Sequence, residues 1–366
     1  MKNFILAFLF VTCAPAVYSQ TESYYISGTV INKETNQPMV GASVFAQNTT
    51  IGTATNAEGK FSLQLPAGGY DIIVTFTGFN AESKRVTASD PDNRNLSFEL
   101  KLKEKEMEAV AVVATTEVKD GFKKYGNFFI EHFIGKTENS ANCTIKNPEV
   151  LRFFYSKKKN RLKVLANDPI LIENKALGYN IKYTLDSFAY AYETQVAVYT
   201  GYPLFEEMTP ANSGQLNGWI TERQKAYKGS ILHFMRSIYN QRVREEGFEI
   251  RFLVSYGNND TAFTPKNIYA AINYRKDDST QVVSFKPNQN LVGVLYTKEK
   301  PAAGYLQDNK DESKEFQFSI LNFLPGEYIH IEQNGYHYEQ NDISISEYWT
   351  WDKVADQLPY DYIPTE

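Results

Sequence analysis

The 366-residue chain carries 38 Lys and Arg against 43 Asp and Glu, a formal charge of −5 with no single-sign block. That excludes the basic footprint a nucleic-acid binder needs. A hydrophobic content of 42% with 24 Phe and 25 Tyr excludes a disordered chain and favours sheets, because rings pack well on a pleated surface. The length admits two or three domains.

The first residues, MKNFILAFLFVTCAPAVYSQ, read as an export signal. Lys2 supplies the positive start, and Phe4–Val17 is an apolar run of about fourteen residues, too short to cross a hydrocarbon core of roughly 30 Å. Val17-Tyr18-Ser19 precedes a cleavage point before Gln20, so residues 1–19 form the expected signal peptide. A competing reading makes Cys13 a lipid-modified cysteine, but Thr12 stands where a lipoprotein signal wants Gly, Ala or Ser. Cleavage leaves Cys143 alone, so the fold has no intramolecular disulfide to rely on. With no histidine nearby in sequence to activate it, Cys143 reads as a packed residue.

From Tyr24 the chain alternates apolar and polar residues in short runs. Ile26, Val30, Val44, Phe61, Leu63, Leu65, Ile72, Val74, Phe76, Leu96, Phe98, Leu100 and Leu102 take the apolar positions. Turn chemistry separates the runs at Asn36-Gln37-Pro38, Asn56–Gly59, Pro66–Gly69 and Asp90–Asn93. Seven short strands at roughly ten-residue spacing predict a β-sandwich over 20–104. Gly28 and Gly52 suit close backbone approaches, and Gly59 suits a turn position with φ > 0.

The stretch ISGTVINKETNQPMVGASVFAQNTTIGTATNAEGKFSLQLPAGGYDIIVTFTGF resembles the carboxypeptidase-regulatory-like domain of exported Bacteroidetes envelope proteins. Ile26, Gly28, Val30, Pro38, Gly41, Ala42, Val44, Gly52, Thr53, Thr55, Gly59, Phe61, Pro66, Gly68, Tyr70, Gly78 and Phe79 carry the likeness. The resemblance implies a transthyretin-like sandwich without zinc or catalytic residues of its own. The same module precedes the plug of TonB-dependent outer-membrane receptors, and KEMEAVAVVATTEV (105–118) resembles the apolar segment that follows it there. The residues remaining are too few for a plug and a 22-stranded barrel, so the chain is not read as such a receptor. Residues 105–123 read instead as a linker whose Ala109–Ala114 run docks as a strand on the next domain.

Residues 124–366 read as a larger β-rich α+β domain. Lys158-Lys159-Asn160 and Glu193-Thr194 mark hairpin turns. Ile181, Tyr183, Leu185 and Phe188 mark one apolar face, Val196, Val198 and Thr200 another. One amphipathic helix is expected over Glu222–Phe248, burying Ile231, Phe234, Met235, Ile238 and Tyr239. Lys225, Lys228, Arg236 and Arg242 would face out, and Gly247 would close it. AYKGSILHFMRSIYNQRVREEGFEI, FIGKTENSANCTIKNPEVL, PILIENKALGYNI and YWTWDKVADQLPYDYIP resemble segments of exported Bacteroidetes proteins with the same front module. That likeness implies an address and an architecture rather than a reaction.

No catalytic residue, cofactor or firm metal set follows from the motifs. His-Glu-x-x-His, Cys-x-x-Cys, Gly-x-Ser-x-Gly and phosphate loops are absent from the sequence, and none of His132, His233, His330 and His337 opens a His-x-x-Glu. Ser230 and His233 share a helix face but lack an orienting third group and an oxyanion donor set. A two-residue type I′ turn at Asn334-Gly335 would pair Glu332 with His337 and His330 with Glu339. Those four side chains would then share one face, a weak candidate patch for a divalent cation. Asp260-Thr261-Ala262 and Asp278-Ser279-Thr280 resemble the Bacteroidetes O-glycosylation acceptor at Thr261 and Ser279.

The expected function is a non-enzymatic binding or scaffolding role in the cell envelope, in the periplasm or at the outer membrane. Its partner would be an envelope glycan, a peptide or an outer-membrane protein, with no nucleic acid and no transmembrane span after signal cleavage. The alternatives are a hydrolase of envelope polymers with unassigned carboxylates, and an accessory protein of a TonB-dependent transporter. Two convergent carboxylates of raised pKa in a concave pocket would favour the enzyme.

Overall fold

The computed structural model describes residues 23–103, 116–256, 259–338 and 342–365. The expected signal peptide, the Ala109–Ala114 strand and Glu339 lie outside them. The described residues are mainly β, with an amino-terminal sandwich followed by a larger β-rich region.

Seven strands make the sandwich: β1 (Ser23–Asn32), β2 (Ser43–Ala46), β3 (Gly52–Ala54), β4 (Lys60–Pro66), β5 (Tyr70–Thr75), β6 (Glu82–Val86) and β7 (Leu96–Leu100). One sheet has the order β4-β1-β7, the other β3-β2-β5-β6. β4 alternates strictly, burying Phe61, Leu63 and Leu65 and exposing the residues between, which turns its apolar half onto Ile26, Val30, Ile72, Val74 and Phe98. β1 and β7 run parallel, with Gly28 opposite Leu96. A Cβ on Gly28 would overlap the Leu96 carbonyl. Gly28→Ala must therefore spread the central ladder, and a loss of about 3 kcal/mol in urea unfolding is expected. Gly59 has φ +68, as its turn requires.

The larger region holds two cores. The first is built on β8 (Thr116–Glu117), β9 (Cys143–Ile145), β10 (Leu151–Ser156), β11 (Arg161–Ala166), β12 (Ile170–Asn174), β13 (Tyr179–Ala191) and β14 (Val196–Glu207). Helix α1 (Gly121–Phe133) covers this sheet with Phe129 and Phe133, one turn apart and stacked at 4.9 Å. The second core lies between a five-stranded sheet and a three-stranded sheet. The five are β15 (Phe248–Tyr256), β16 (Asn259–Phe263), β19 (Leu291–Tyr296), β20 (Gln317–Phe323) and β22 (Ile343–Glu347), and the three are β17 (Arg275–Lys276), β18 (Val283–Phe285) and β21 (Ile329–Ile331).

The amphipathic helix is present but shorter than the sequence pattern suggests. Helix α2 (Ser213–Tyr227) stops, and α3 (Ile231–Tyr239) starts anew with Ser230 as its N-cap. Between them Gly229 takes φ +75. Its carbonyl accepts a 2.7 Å hydrogen bond from the Trp349 indole, so a tertiary contact fixes the break. α3 buries Phe234, Met235, Ile238 and Tyr239 in the second core. Arg236 does not face out: its guanidinium donates to the carbonyls of Asn334, Tyr360 and Tyr362. Gly247 has φ +95 but lies beyond α3, in turns rather than at a helix end.

The sandwich is docked rather than tethered. Phe45, Ile73 and Leu204 form a small shared core across the junction, and Thr49 bridges Leu204. The carboxy-terminal segment 352–365 then ties everything together. Tyr360 N–H donates to Asn48 O at 2.7 Å, Asp361 accepts from the Thr50 N–H and hydroxyl, and Asn174 Nδ2 donates to Ala355 O.

Candidate functional site

The weak metal patch expected from the sequence lies on the hairpin at Asn334-Gly335. The hairpin forms with a different loop. Gly335 N–H donates to Glu332 O and Glu332 N–H to Tyr336 O, at 2.9 and 2.8 Å, and Gly335 has φ +88. This is a three-residue loop closed by a left-handed glycine. Ile331 therefore bridges His337, one residue away from the expected register, and a one-residue slip sends side chains to opposite faces. Glu332 and His337 separate. His330, opposite Ser284 in β18, stacks on Tyr338.

Glu332 turns towards the sandwich. It is 2% exposed and accepts from Arg85 Nη2 at 2.6 Å and from the Tyr338 hydroxyl. Arg85 also pairs with Asp71 at 3.3 Å and lies 4.0 Å over the Tyr338 ring. Asp71 in turn accepts from the Tyr336 hydroxyl. Every charged group in this cluster has a partner, so it is a junction between sandwich and hairpin, not an open site.

His337 turns the other way, onto a cavity of about 250 Å³. Ile231, Leu232, Met235, Trp349 and Leu358 give the cavity apolar walls, and Asn48 brings the sandwich to its rim. His337 is 9% exposed, and its imidazole makes no hydrogen bond to any described residue. Burial alone pushes its pKa down to about 4, so the ring is neutral at neutral pH.

Asp352 and Asp356 line the same cavity. Burial, then repulsion from Asp356, lifts the Asp352 carboxyl well above the usual carboxylate range, against a smaller pull from Lys353. Asp352 lies deep in the fold yet keeps an accessible face, because that face borders the cavity. It has no hydrogen bond or ion pair among the described residues. Asp356 is pushed by burial to about 6 despite the donors around it. Those donors are Thr137 Oγ1, at 3.0 and 2.9 Å from its two oxygens, and Asn139 Nδ2 at 2.9 Å. Asp356 is thus a fastening between the terminal segment and the 137–139 loop. Burial pushes the Lys353 ammonium pKa down.

The nucleophile candidates are committed elsewhere. The Ser230 hydroxyl donates to Tyr227 O and accepts from His233 N–H, while the His233 ring accepts from Gly229 N–H and meets Glu246 at 3.3 Å. The imidazole is oriented, but away from Ser230. Cys143 sits against the first core, where burial raises its thiol to about 12, outside the range of a reactive thiolate. Thr261 and Ser279 are both exposed. Among the described residues no three His, Cys, Asp or Glu side chains group as metal ligands.

The fold and this cavity define a β-rich protein of sandwich and cavity-bearing region, and residues 26–112 match the model of the CarboxypepD_reg-like domain. The front unit is therefore similar to a carboxypeptidase-regulatory-like domain. No curated protein matches the chain. Among solved structures, a DUF3823 family protein from Bacteroides ovatus aligns at 9% identity over 52% of this chain and 83% of its own, with a TM-score of 0.18. A protein of unknown function from Bacteroides fragilis, provisionally described as membrane-associated, aligns at 10% over 89% and 95%, also at 0.18. A 3-chlorocatechol 1,2-dioxygenase from Rhodococcus opacus aligns at 12% over 22% of this chain and 59% of its own, at 0.17. Such scores carry no argument about fold, and the dioxygenase's activity stays with that protein. No described helix is long and apolar enough to cross a membrane.

Proposed function

We propose that this chain is a non-enzymatic binding protein of the cell envelope, exported by the signal-like residues 1–19, which takes a small ligand into the cavity beneath its terminal segment. The observation that carries this reading is the pairing of His337 and Asp352. Both line one apolar-walled cavity; His337 is 9% exposed and Asp352 is half-buried, and neither side chain makes a hydrogen bond to a described residue. Leaving a buried polar group unsatisfied costs about 1–3 kcal/mol; Gln357 Oε1, buried without a hydrogen bond on the wall of the same cavity, stands beside His337 and Asp352 and marks a place where the contents supply the missing hydrogen bond. A few polar groups in an apolar concavity is the general form of a small-molecule site. The docked sandwich holds Asn48 and Thr50 against the terminal segment, which keeps the cavity roof in place.

A hydrolase is the second reading, favoured by the raised Asp352 and Asp356 carboxyls at one cavity. Its weakness is that Asp356 is already held by the Thr137 hydroxyl and the Asn139 amide, leaving one free carboxyl. Saturation-transfer NMR of the full chain with muropeptide and oligosaccharide fragments separates the readings. Binding that disappears when Ala226→Phe fills the cavity supports the binding protein. Equal saturation of both proteins removes it, and fragment cleavage lost in Asp352→Asn installs the hydrolase instead.

A further inference from the structure

We propose that the cavity selects a small organic ammonium, an amine on a compact apolar body, with the Asp352 carboxylate as its counter-charge. This rests on the binding reading above and names the ligand chemistry.

Three observations converge. The first is charge. Asp352 and Asp356 face a single ammonium, Lys353, around the cavity, and no described cation lies within ion-pairing distance of Asp352. Asp356 is held by Thr137 and Asn139, so the carboxyl free to meet a ligand cation is that of Asp352. A ligand cation entering there favours the ionised form of that carboxyl, which gives up its proton to solvent, and in a poorly solvated place the resulting Coulomb attraction is strongest. An anion would add a second like charge, and a neutral ligand would leave Asp352 protonated.

The second is the wall. Ile231, Leu232, Met235 and Leu358 offer hydrocarbon, and the Trp349 ring joins them. Trp349 is held in place by its hydrogen bond to Gly229 O. An indole is the best aromatic partner for an ammonium, so the same residue serves the ligand's body or its charge. The third is size: about 250 Å³ holds roughly eight water-sized groups, which suits an amine with one ring or a short chain. His337 remains to meet a second polar group, its neutral ring able both to donate and to accept.

Calorimetric titration of the full chain at pH 7.5 with benzylamine, benzyl alcohol and benzoate tests the assignment, since the three probes share a body and differ in charge. Benzylamine is expected to bind at least ten-fold more tightly than benzyl alcohol, and benzoate not at all. Asp352→Asn should bring benzylamine to the level of benzyl alcohol while thermal unfolding shows the fold intact or more stable. Benzyl alcohol binding as tightly as benzylamine, or an amine preference that survives Asp352→Asn, overturns the ammonium assignment and leaves the binding reading standing. Failure of all three probes while glycan or peptide fragments still saturate the cavity also overturns the assignment alone. Failure of probes and fragments together removes both.

Discussion

Arg85→Met is expected to lower the unfolding free energy by about 3–5 kcal/mol, the cost of breaking a buried ion pair from one side. Arg85 reaches Glu332 at 2.6 Å and Asp71 at 3.3 Å, and its guanidinium lies over the rings of Tyr338 and Tyr336 at 4.0 and 4.9 Å. Methionine keeps much of the stem's packing but strands Glu332, which has little water to turn to. Adding Glu332→Gln should recover part of the loss, because the stranded charge is then gone, and a double-mutant cycle would report the coupling. The variant also loosens the sandwich from the hairpin. All three tryptophans, Trp219, Trp349 and Trp351, lie behind the sandwich, so their fluorescence follows the larger region alone. In wild type, fluorescence and far-UV circular dichroism should give one coincident urea transition. In Arg85→Met the circular dichroism transition should begin at lower urea. Coincident, unshifted transitions in the variant would show that the junction does not couple the units.

His337→Gln should change the pH dependence of stability more than its value at neutrality. The imidazole titrates near 6.5 in an unfolded chain and near 4 in the fold. Between those values the unfolded chain binds the extra proton, so His337 weakens the native state as pH falls, by up to about 3 kcal/mol. Asp356 acts in the opposite sense. Its folded pKa of about 6 lies above the ordinary value of 3.8, so its contribution is complete at low pH and is lost as pH rises through 6. Asp352 moves in the same direction. The wild type therefore sums two opposed trends between pH 4 and 6, and His337→Gln leaves only the carboxyl trend. Relative to wild type, the variant should gain about 3 kcal/mol between pH 7 and pH 4 in urea titrations. A stability difference that stays flat over that range would mean the imidazole is not held neutral by burial.

How legible these sites were follows from the range of the interactions that make them. Phe61, Leu63 and Leu65 announce a half-buried strand because alternation is written in seven consecutive residues. Pro66–Gly69 and Asn56–Gly59 announce turns because their backbone preferences are local. The stripe Phe234, Met235, Ile238 and Tyr239 announced a helix for the same reason. The cavity has no such signature: Asn48, Leu232, His337 and Asp352 come from four separate places in the chain. Nothing in the segment WTWDKVADQLP tells that Asp352 and Asp356 line one cavity.

The sequence by itself determined the amino-terminal β-sandwich, its seven strands and its turns, and the apolar face of α3, since each depends on neighbours within a few residues. Tertiary structure decided where that helix begins, because Trp349 reaches back to Gly229. It decided the hairpin register, where the loop takes three residues and Glu332 finds Arg85 from the sandwich. It decided above all that His337 and Asp352, fifteen positions apart in sequence and on different elements, share one cavity. Burial and pairing are properties of the assembled fold, so the chemistry of this site appears only when the terminal segment closes over it.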